Sequence, residues 1–121
     1  MLMPQTDAGV IARRAEIIAE LKRIVPGDGV IAEQEALRAY ECDGLTAYHQ
    51  LPLIVVLPET TEQISRLLHY CKALGVKIVP RGAGTSLSGG ALPLADAITV
   101  GLGKFNRILD VDYANRCVTA Q

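Results

Sequence analysis

The sequence Leu53-Ile54-Val55-Val56-Leu57 is an unbroken apolar run between Pro52 and Pro58. Such a run is typical of a strand that is buried on both faces, as in a parallel sheet. A second predicted strand, a short run in which only Lys77 is not apolar, follows at residues 76–79, and Pro80 is expected to end it. The segment between the two runs is long enough for one helix, which predicts a βαβ unit.

This intervening segment carries the signals of a single helix. Thr60 and Gln63 form a capping-box pattern, and Gly75 supplies the left-handed residue that ends many helices. Between them, apolar residues recur at helical spacing: Ile64, Leu67, Leu68, Cys71 and Leu74. A strand, helix and strand in this order predict a right-handed crossover.

Helices are predicted before this unit and strands after it. The N-terminal helix is predicted over residues 6–25 with Thr6 or Asp7 as its cap, and a shorter helix over 33–41 precedes a loop at 42–50. Further strands are predicted at 97–102, 108–112 and 117–120, with a hairpin turn at 113–116. The expected fold class is α+β with a small, mostly parallel sheet. Residues 1–50 are expected to form the N-terminal helices and connecting loop, and residues 51–121 the remainder.

Length and composition restrict the function classes. The 121 residues fit one domain, and the net charge of −1 argues against a basic nucleic-acid-binding surface. Three cysteines (Cys42, Cys71 and Cys117) have no C-x-x-C spacing, so we expect reduced thiols and no metal site. The N-terminal segment has no long apolar stretch, which predicts neither a secretion signal nor a membrane span and favours the cytoplasm.

A glycine-rich loop follows the second strand: Pro80-Arg81-Gly82-Ala83-Gly84-Thr85-Ser86-Leu87-Ser88-Gly89-Gly90-Ala91. Gly82 and Gly84 can take positive φ and let the backbone approach a ligand closely, and successive N–H groups in such a turn bind an anion. Arg81 either adds a positive charge or anchors the loop. A Walker loop would need lysine at Gly90, and a Rossmann fingerprint would need glycine at Leu87. The pattern favours a phosphate or pyrophosphate, and a surface loop without a ligand is the alternative.

The loop resembles the pyrophosphate loop of FAD-linked oxidases of the vanillyl-alcohol oxidase, or PCMH, type. Segments 40–48, 53–58 and 106–110 extend the resemblance over about residues 15–121, toward the FAD-linked subunits of bacterial glycolate oxidases and the related D-lactate dehydrogenases. It implies an N-terminal fragment in which residues 51–121 form the first subdomain of a PCMH-type FAD-binding domain, incomplete at Gln121. The implied cofactor-binding residues are Pro80, Arg81, Gly82, Ala83, Gly84, Thr85, Ser86, Leu87, Gly89 and Gly90.

The resemblance also implies an activity. The parent protein would oxidise a 2-hydroxy acid such as glycolate or D-lactate to a 2-oxo acid, with catalytic residues outside this chain. Thr85 stands where some relatives attach FAD through a histidine, so a noncovalent FAD is implied. Partner flavin and iron–sulfur subunits, and peripheral contact with the inner membrane through them, are implied as well. A noncatalytic module for phosphate binding or subunit assembly is the alternative function.

Several residues outside the loop are expected to have structural roles. Asp43 and Tyr48 are expected to pack or to hydrogen-bond within their loop rather than to touch a cofactor. His49 is expected to be a partly exposed structural histidine, and His69 a solvated one. Because apolar strands of a truncated chain would lack cover, we expect self-association.

Overall fold

The fold is built on a four-stranded sheet in which most neighbours are parallel. A computed structural model describes residues 4–121 of the chain. The strands are β1 (Val30–Ile31), β2 (Ile54–Val56), β3 (Lys77–Arg81) and β4 (Ala97–Gly101), in the order β1-β2-β4-β3. Strands β2, β4 and β3 run parallel, whereas β1 is antiparallel to β2. The α+β class and the mostly parallel sheet are therefore confirmed, and β1 is a strand that the sequence did not predict.

The predicted helix between the strands is α4 (Thr61–Leu74). The Thr60 side chain accepts a hydrogen bond from the Gln63 N–H, and Gly75 ends the helix with a φ of +69°. Strand β4 lies between β2 and β3, so the two strands joined by α4 are not direct neighbours. Strand β3 was predicted to end at Pro80, but it continues to Arg81. Because β3 is at the sheet edge, proline's missing N–H costs no hydrogen bond on its open side.

The N-terminal helix is divided into two. Helix α1 (Ala8–Ala12) is capped by Asp7, whose carboxylate accepts from the N–H groups of Gly9 and Val10, and helix α2 (Arg14–Ile24) follows after a break at Arg13. The single helix predicted over residues 6–25 is therefore wrong in its continuity. The second predicted helix consists of α3 (Gln34–Leu37) and a 3₁₀ turn (Arg38–Tyr40). Residues 1–3, which open the predicted segment 1–50, lie outside the described residues.

The main core lies between the sheet and the helices. Ile54, Val56, Ile98 and Val100 point one way from β2 and β4 and pack with Ile17 and Leu21 of α2 and Leu67 and Cys71 of α4. Val55 and Thr99 alternate to the opposite face and are also fully buried. The sheet thus has cover on both faces within this chain. Among the described helices, none is long and apolar enough to cross a membrane.

The last two strands form a separate hairpin. Strands β5 (Ile108–Asp112) and β6 (Cys117–Ala120) pair in antiparallel fashion, which confirms the predicted hairpin. Its side chains are nearly all exposed, and Val118 is 60% exposed and Ile108 68% exposed. The hairpin therefore presents apolar side chains that the rest of the described chain does not cover.

Candidate functional site

The glycine-rich loop starts at the edge of the sheet where β3 and β4 both end. The Leu102 N–H donates to the Arg81 carbonyl at 2.9 Å, which fixes the two strand ends side by side. Strand β2 runs parallel to these strands, and helix α4 follows it in the chain. The N-terminus of α4 therefore lies after the same end of the sheet. Ligands of open parallel sheets commonly bind outside the carboxyl ends of the strands.

Two glycines give the loop its shape. Gly84 has a φ of +74° and Gly89 a φ of +75°, a left-handed conformation that L side chains rarely adopt. A Cβ atom on Gly84 would also collide with the Arg81 guanidinium. Gly82, which could take the same conformation, does not have a left-handed φ. Gly82 instead has open space, with nothing within 4 Å of an added Cβ.

The first half of the loop offers unpaired hydrogen-bond donors. Among the described residues, the backbone N–H groups of residues 83–87 have no acceptor. The second half is closed on itself, because the Ser88 N–H donates to Ser86 Oγ at 3.3 Å and the Leu92 N–H to the Gly89 carbonyl at 3.2 Å. A row of exposed amides on a held loop suits an anion such as a pyrophosphate.

Arg81 anchors the loop rather than pointing a free charge into it. Its Nη1 donates to the Cys42 carbonyl at 2.8 Å and, at 3.5 Å, to the Ala91 carbonyl. The guanidinium carbon also lies 5.7 Å from the centroid of the Tyr40 ring, within cation–π range. Of the two roles predicted for Arg81, the structure supports the anchor.

Asp43 and Gly44 hold the loop from a second segment. Asp43 is 4% exposed, and its Oδ1 accepts from the Leu45 N–H at 2.9 Å while Oδ2 accepts from the Ala91 N–H at 3.4 Å. A Cβ on Gly44 would lie 2.8 Å from the carbonyl oxygens of both Thr85 and Ser86. The expectation that Asp43 makes loop hydrogen bonds is confirmed.

An apolar cleft of about 490 Å³ opens beside the first half of the loop, a volume typical of ligand sites. Its lining residues are Ile64, Gly82, Ala83, Leu102, Gly103, Phe105 and Gln121. A polar cleft of about 430 Å³ shares Gln121 with it and contains Lys104. Lys104 Nζ contacts Glu59 Oε1 at 2.6 Å and Asp28 Oδ1 at 3.2 Å, and the bond to Glu59 is the main cause that raises the pKa of Lys104.

The remaining candidate groups lie away from the loop cleft. His49 is exposed and contacts Glu41 at 3.5 Å, and the exposed His69 ring is 2.8 Å from the Ser65 carbonyl on its own helix. All three cysteines are free; Cys71 is buried, and this burial raises the pKa of its thiol to about 11. Within residues 4–121, no group of metal-ligating side chains could hold an ion.

The match to a family model places the chain in a flavin-binding class of protein. The chain belongs to the family described as FAD binding domain, which matches residues 52–121. The match confirms FAD as the expected cofactor. The free amides of residues 83–87 fit its pyrophosphate, and the neighbouring apolar cleft fits part of its ring system.

Individual relatives are similar over most of this chain. It is 43% identical over 108 residues to the glycolate oxidase subunit GlcD of Escherichia coli strain K12, covering 89% of this chain and 22% of that protein. It is 38% identical over 82 residues to the subunit GlcD of Bacillus subtilis strain 168, covering 68% and 17%. A probable mitochondrial D-2-hydroxyglutarate dehydrogenase of Oryza sativa subsp. indica is 27% identical over 104 residues, covering 86% and 19%. The chain thus spans about a fifth of the length of these curated relatives.

Solved structures agree with the fold. A p-cresol methylhydroxylase with bound substrate matches with a TM-score of 0.72 at 20% identity, covering 93% of this chain and 22% of that one. An alkyldihydroxyacetonephosphate synthase matches with a TM-score of 0.69 at 21% identity, covering 92% and 23%. These neighbours confirm the expected PCMH-type fold.

Sequence reasoning missed part of the site. It did not predict that Tyr40 and Gly44 contact the glycine loop, or that Ile64 and Phe105 line the cleft. Tyr40 and Gly44 lie in segment 40–48, which carries part of the family resemblance, but the resemblance gave neither residue a role. The tendency of ligands to bind at the carboxyl ends of parallel strands could have directed attention to residues 102–105.

Proposed function

We propose that this chain forms the FAD-pyrophosphate-binding part of a flavoprotein that oxidises 2-hydroxy acids such as glycolate or D-lactate to 2-oxo acids. The observation that carries the proposal is the row of unpaired amides at residues 83–87 beside an apolar cleft. The similarity to glycolate oxidase subunits and to a D-2-hydroxyglutarate dehydrogenase supports the choice of substrate class.

The chain's own residues would bind and orient the cofactor. The amides of residues 83–87 would donate to the pyrophosphate, and Ile64, Leu102 and Phe105 would exclude water from the adjoining ring system. When bound, the flavin would accept the hydride that leaves the α-carbon of the substrate. The loop residues from Pro80 to Leu87, with Gly89 and Gly90, remain the proposed cofactor-binding set, in which Pro80 and Arg81 position the loop. We assign no catalytic residue to this chain.

We further propose that the FAD is held noncovalently, because Thr85 has no nucleophilic nitrogen at the position where a histidine would form the bond. Partner flavin and iron–sulfur subunits are part of the same proposal, supported by relatives that are named as subunits. A cytoplasmic location, with peripheral contact to the inner membrane through such partners, completes it.

A second candidate function is a noncatalytic assembly module, which the exposed hairpin favours. Strands β5 and β6 carry apolar side chains on a two-stranded sheet, and isolated hairpins of this size are marginal in water. Additional strands or a covering surface would stabilise it. Self-association of the chain through this hairpin is the form of assembly that we propose.

A chimera tests the enzymatic proposal. The matched 108 residues of the Escherichia coli glycolate oxidase subunit are replaced by the matching part of this chain. We expect the chimera to purify with FAD that denaturation releases, and glycolate to bleach its flavin absorbance. A folded chimera without flavin would overturn the FAD proposal, whereas one that retains flavin but resists reduction by glycolate would show that this chain does not hold the flavin in a position suited to 2-hydroxy-acid oxidation.

The same chimera with Gly84→Val separates the loop from the rest of the protein. A valine at this left-handed position would be strained and would collide with Arg81, so we expect a folded, colourless protein. Thr46→Ala, a change of an exposed side chain outside the loop, is the control and should remain yellow. A yellow Gly84→Val protein would remove the loop from the cofactor site.

A further inference from the structure

Residues 40–45, which we call the brace, contact the glycine loop at three separate places. Tyr40 and the Cys42 carbonyl receive the Arg81 guanidinium at the start of the loop. Asp43 accepts a hydrogen bond from the Ala91 N–H at its end. Gly44 lies against its middle, where the Thr85 and Ser86 carbonyls are close enough to exclude a Cβ. The brace itself belongs to no strand or long helix, so these contacts are what join it to the loop.

The contact at Gly44 determines where two amide groups point. A trans peptide is planar, and its C=O and N–H bonds point in opposite directions. Because the carbonyl oxygens of Thr85 and Ser86 approach Gly44, the N–H groups of the same peptides, those of Ser86 and Leu87, are directed away from the brace. Both amides are among those without an acceptor in the described chain.

The two ends of the loop are fixed independently of this contact. Asp43 is buried and bridges Leu45 within the brace to Ala91 at the loop end. Arg81 bridges the loop start to Cys42, and its guanidinium occupies the space beside Gly84. With both ends tied to one segment, the middle of the loop is held at a defined distance from Gly44.

We propose that the brace is a positioning device for anion binding: Gly44 and Asp43 orient the Ser86 and Leu87 amides toward the pyrophosphate without touching it. The inference rests on the proposed function for its ligand, but the orientation of the amides is a property of the free chain. Gly44 is the determinant with the largest effect, because a side chain there would displace two carbonyl groups at once.

The first experiment measures the orientation without any ligand. Residual dipolar couplings of the ¹⁵N-labelled chain are compared for wild type, Gly44→Ala and the control Thr46→Ala. We expect the Ser86 and Leu87 couplings to change in Gly44→Ala only, while the couplings of β4 stay the same and show that the fold is intact. Unchanged Ser86 and Leu87 couplings in a folded Gly44→Ala chain would overturn the proposal.

The second experiment adds inorganic pyrophosphate and follows the same amides. The wild-type Ser86 and Leu87 resonances should shift with saturation, and the dissociation constant should rise about tenfold in Gly44→Ala. The dissociation constant of Asp43→Asn, which keeps one acceptor oxygen, should lie between those of Asp43→Ala and wild type. Equal affinity of wild type and Gly44→Ala for pyrophosphate would overturn the proposed positioning role of the brace. If the loop amides of the wild-type chain do not shift with pyrophosphate, the result counts against the proposed function. The residual dipolar couplings of the first experiment would still test the role of Gly44.

Discussion

The central strands and the terminal hairpin are built from similar residues but have opposite surroundings. Strands β2 and β4 are rich in isoleucine and valine and are buried on both faces. Strands β5 and β6 also contain isoleucine, leucine and valine, yet nearly all their side chains are exposed. The difference arises from the helices and loops that cover the first pair and are missing around the second. Apolar strand sequence therefore indicates that cover is required, and it does not say which part of a molecule provides it.

The candidate site belongs to the buried sheet and not to the exposed hairpin. The glycine loop starts at β3, next to the buried β4, so it rests on the part of the chain that holds its own core. The hairpin contributes neither a loop anchor nor a brace contact. We therefore expect changes in the hairpin to affect association, and changes in the sheet to affect stability and the loop together.

The reactivity of the cysteines should separate the two regions most strongly. Cys117 is exposed in β6, whereas Cys71 is buried against the sheet and burial raises the pKa of its thiol to about 11. At pH 8 only about one in a thousand Cys71 thiols is ionised, and the thiolate is the reactive form. Because Cys71 is both protonated and inaccessible, we expect Ellman's reagent to modify Cys117 at least about a hundredfold faster than Cys71 in a Cys42→Ser chain. Comparable rates would contradict the burial of Cys71.

Truncation of a core side chain should destabilise the chain much more than truncation in the hairpin. Ile98 is fully buried in β4, so Ile98→Ala should lower the free energy of unfolding by about 3 kcal/mol. Val118→Ala, at an exposed position of β6, should change it by less than about 1 kcal/mol. Urea unfolding measures both. Equal losses would mean that the hairpin belongs to the same cooperative core.

The N-terminal helices are tied to the sheet through a carboxylate whose effect depends on pH. Asp96 Oδ2 accepts from Lys77 Nζ at 2.6 Å and from the Asp7 N–H at 2.7 Å. Burial raises the pKa of Asp96, but these hydrogen bonds outweigh it and hold the pKa below its ordinary value of 3.8. The ionised form thus stabilises the fold above about pH 4, and this stabilisation is lost as the pH falls through the lowered value.

Asp96→Asn should therefore cost about 1–2 kcal/mol at neutral pH, a figure reduced because Lys77 is partly exposed. Thermal unfolding at several pH values measures the difference from wild type, which should shrink in acid. Asp112→Asn in the hairpin, where the half-buried Asp112 accepts hydrogen bonds from Asn115, is the matched control and should leave the main transition unchanged. A constant difference across the pH range would contradict the role of the Asp96 carboxylate.

The smallest expected effect is on association. Strand β6 has no charged residue or proline to protect its edge, and the net charge of −1 gives little repulsion. Light scattering at micromolar concentrations should detect a dimer or larger species, and Val118→Lys should weaken it severalfold. Thr46→Lys adds the same charge away from the hairpin and should not. A monomeric wild-type chain would contradict self-association.

The sequence predicted the elements whose signals are local. The apolar run of β2, the Thr60 cap and Gly75 of α4, and the polar turn of the hairpin each act within a few residues, and all three are confirmed. The break at Arg13 was missed because the helical pattern of apolar residues continues through it. The short strand β1 was missed because it is defined only by its pairing with β2.

The site was predicted in its loop and missed in its supports. Glycine and hydroxyl residues in one stretch identify a candidate anion loop from the sequence. Gly44 and Tyr40 lie about forty residues away in the chain, and their contacts with the loop exist only in the folded structure. The two possible roles of Arg81 could be separated only when its partners, the Cys42 and Ala91 carbonyls, were located.

The loop beside the buried sheet, and not the exposed hairpin, is our proposed binding site for the pyrophosphate of FAD. The most direct test titrates the ¹⁵N-labelled chain with FAD and, separately, with riboflavin, which lacks the phosphates. We predict saturable shifts of the amides of residues 83–87 with FAD alone, with a dissociation constant weaker than micromolar because only part of the FAD surface meets this chain. Identical responses to both ligands, or shifts confined to residues 108–120, would contradict the account.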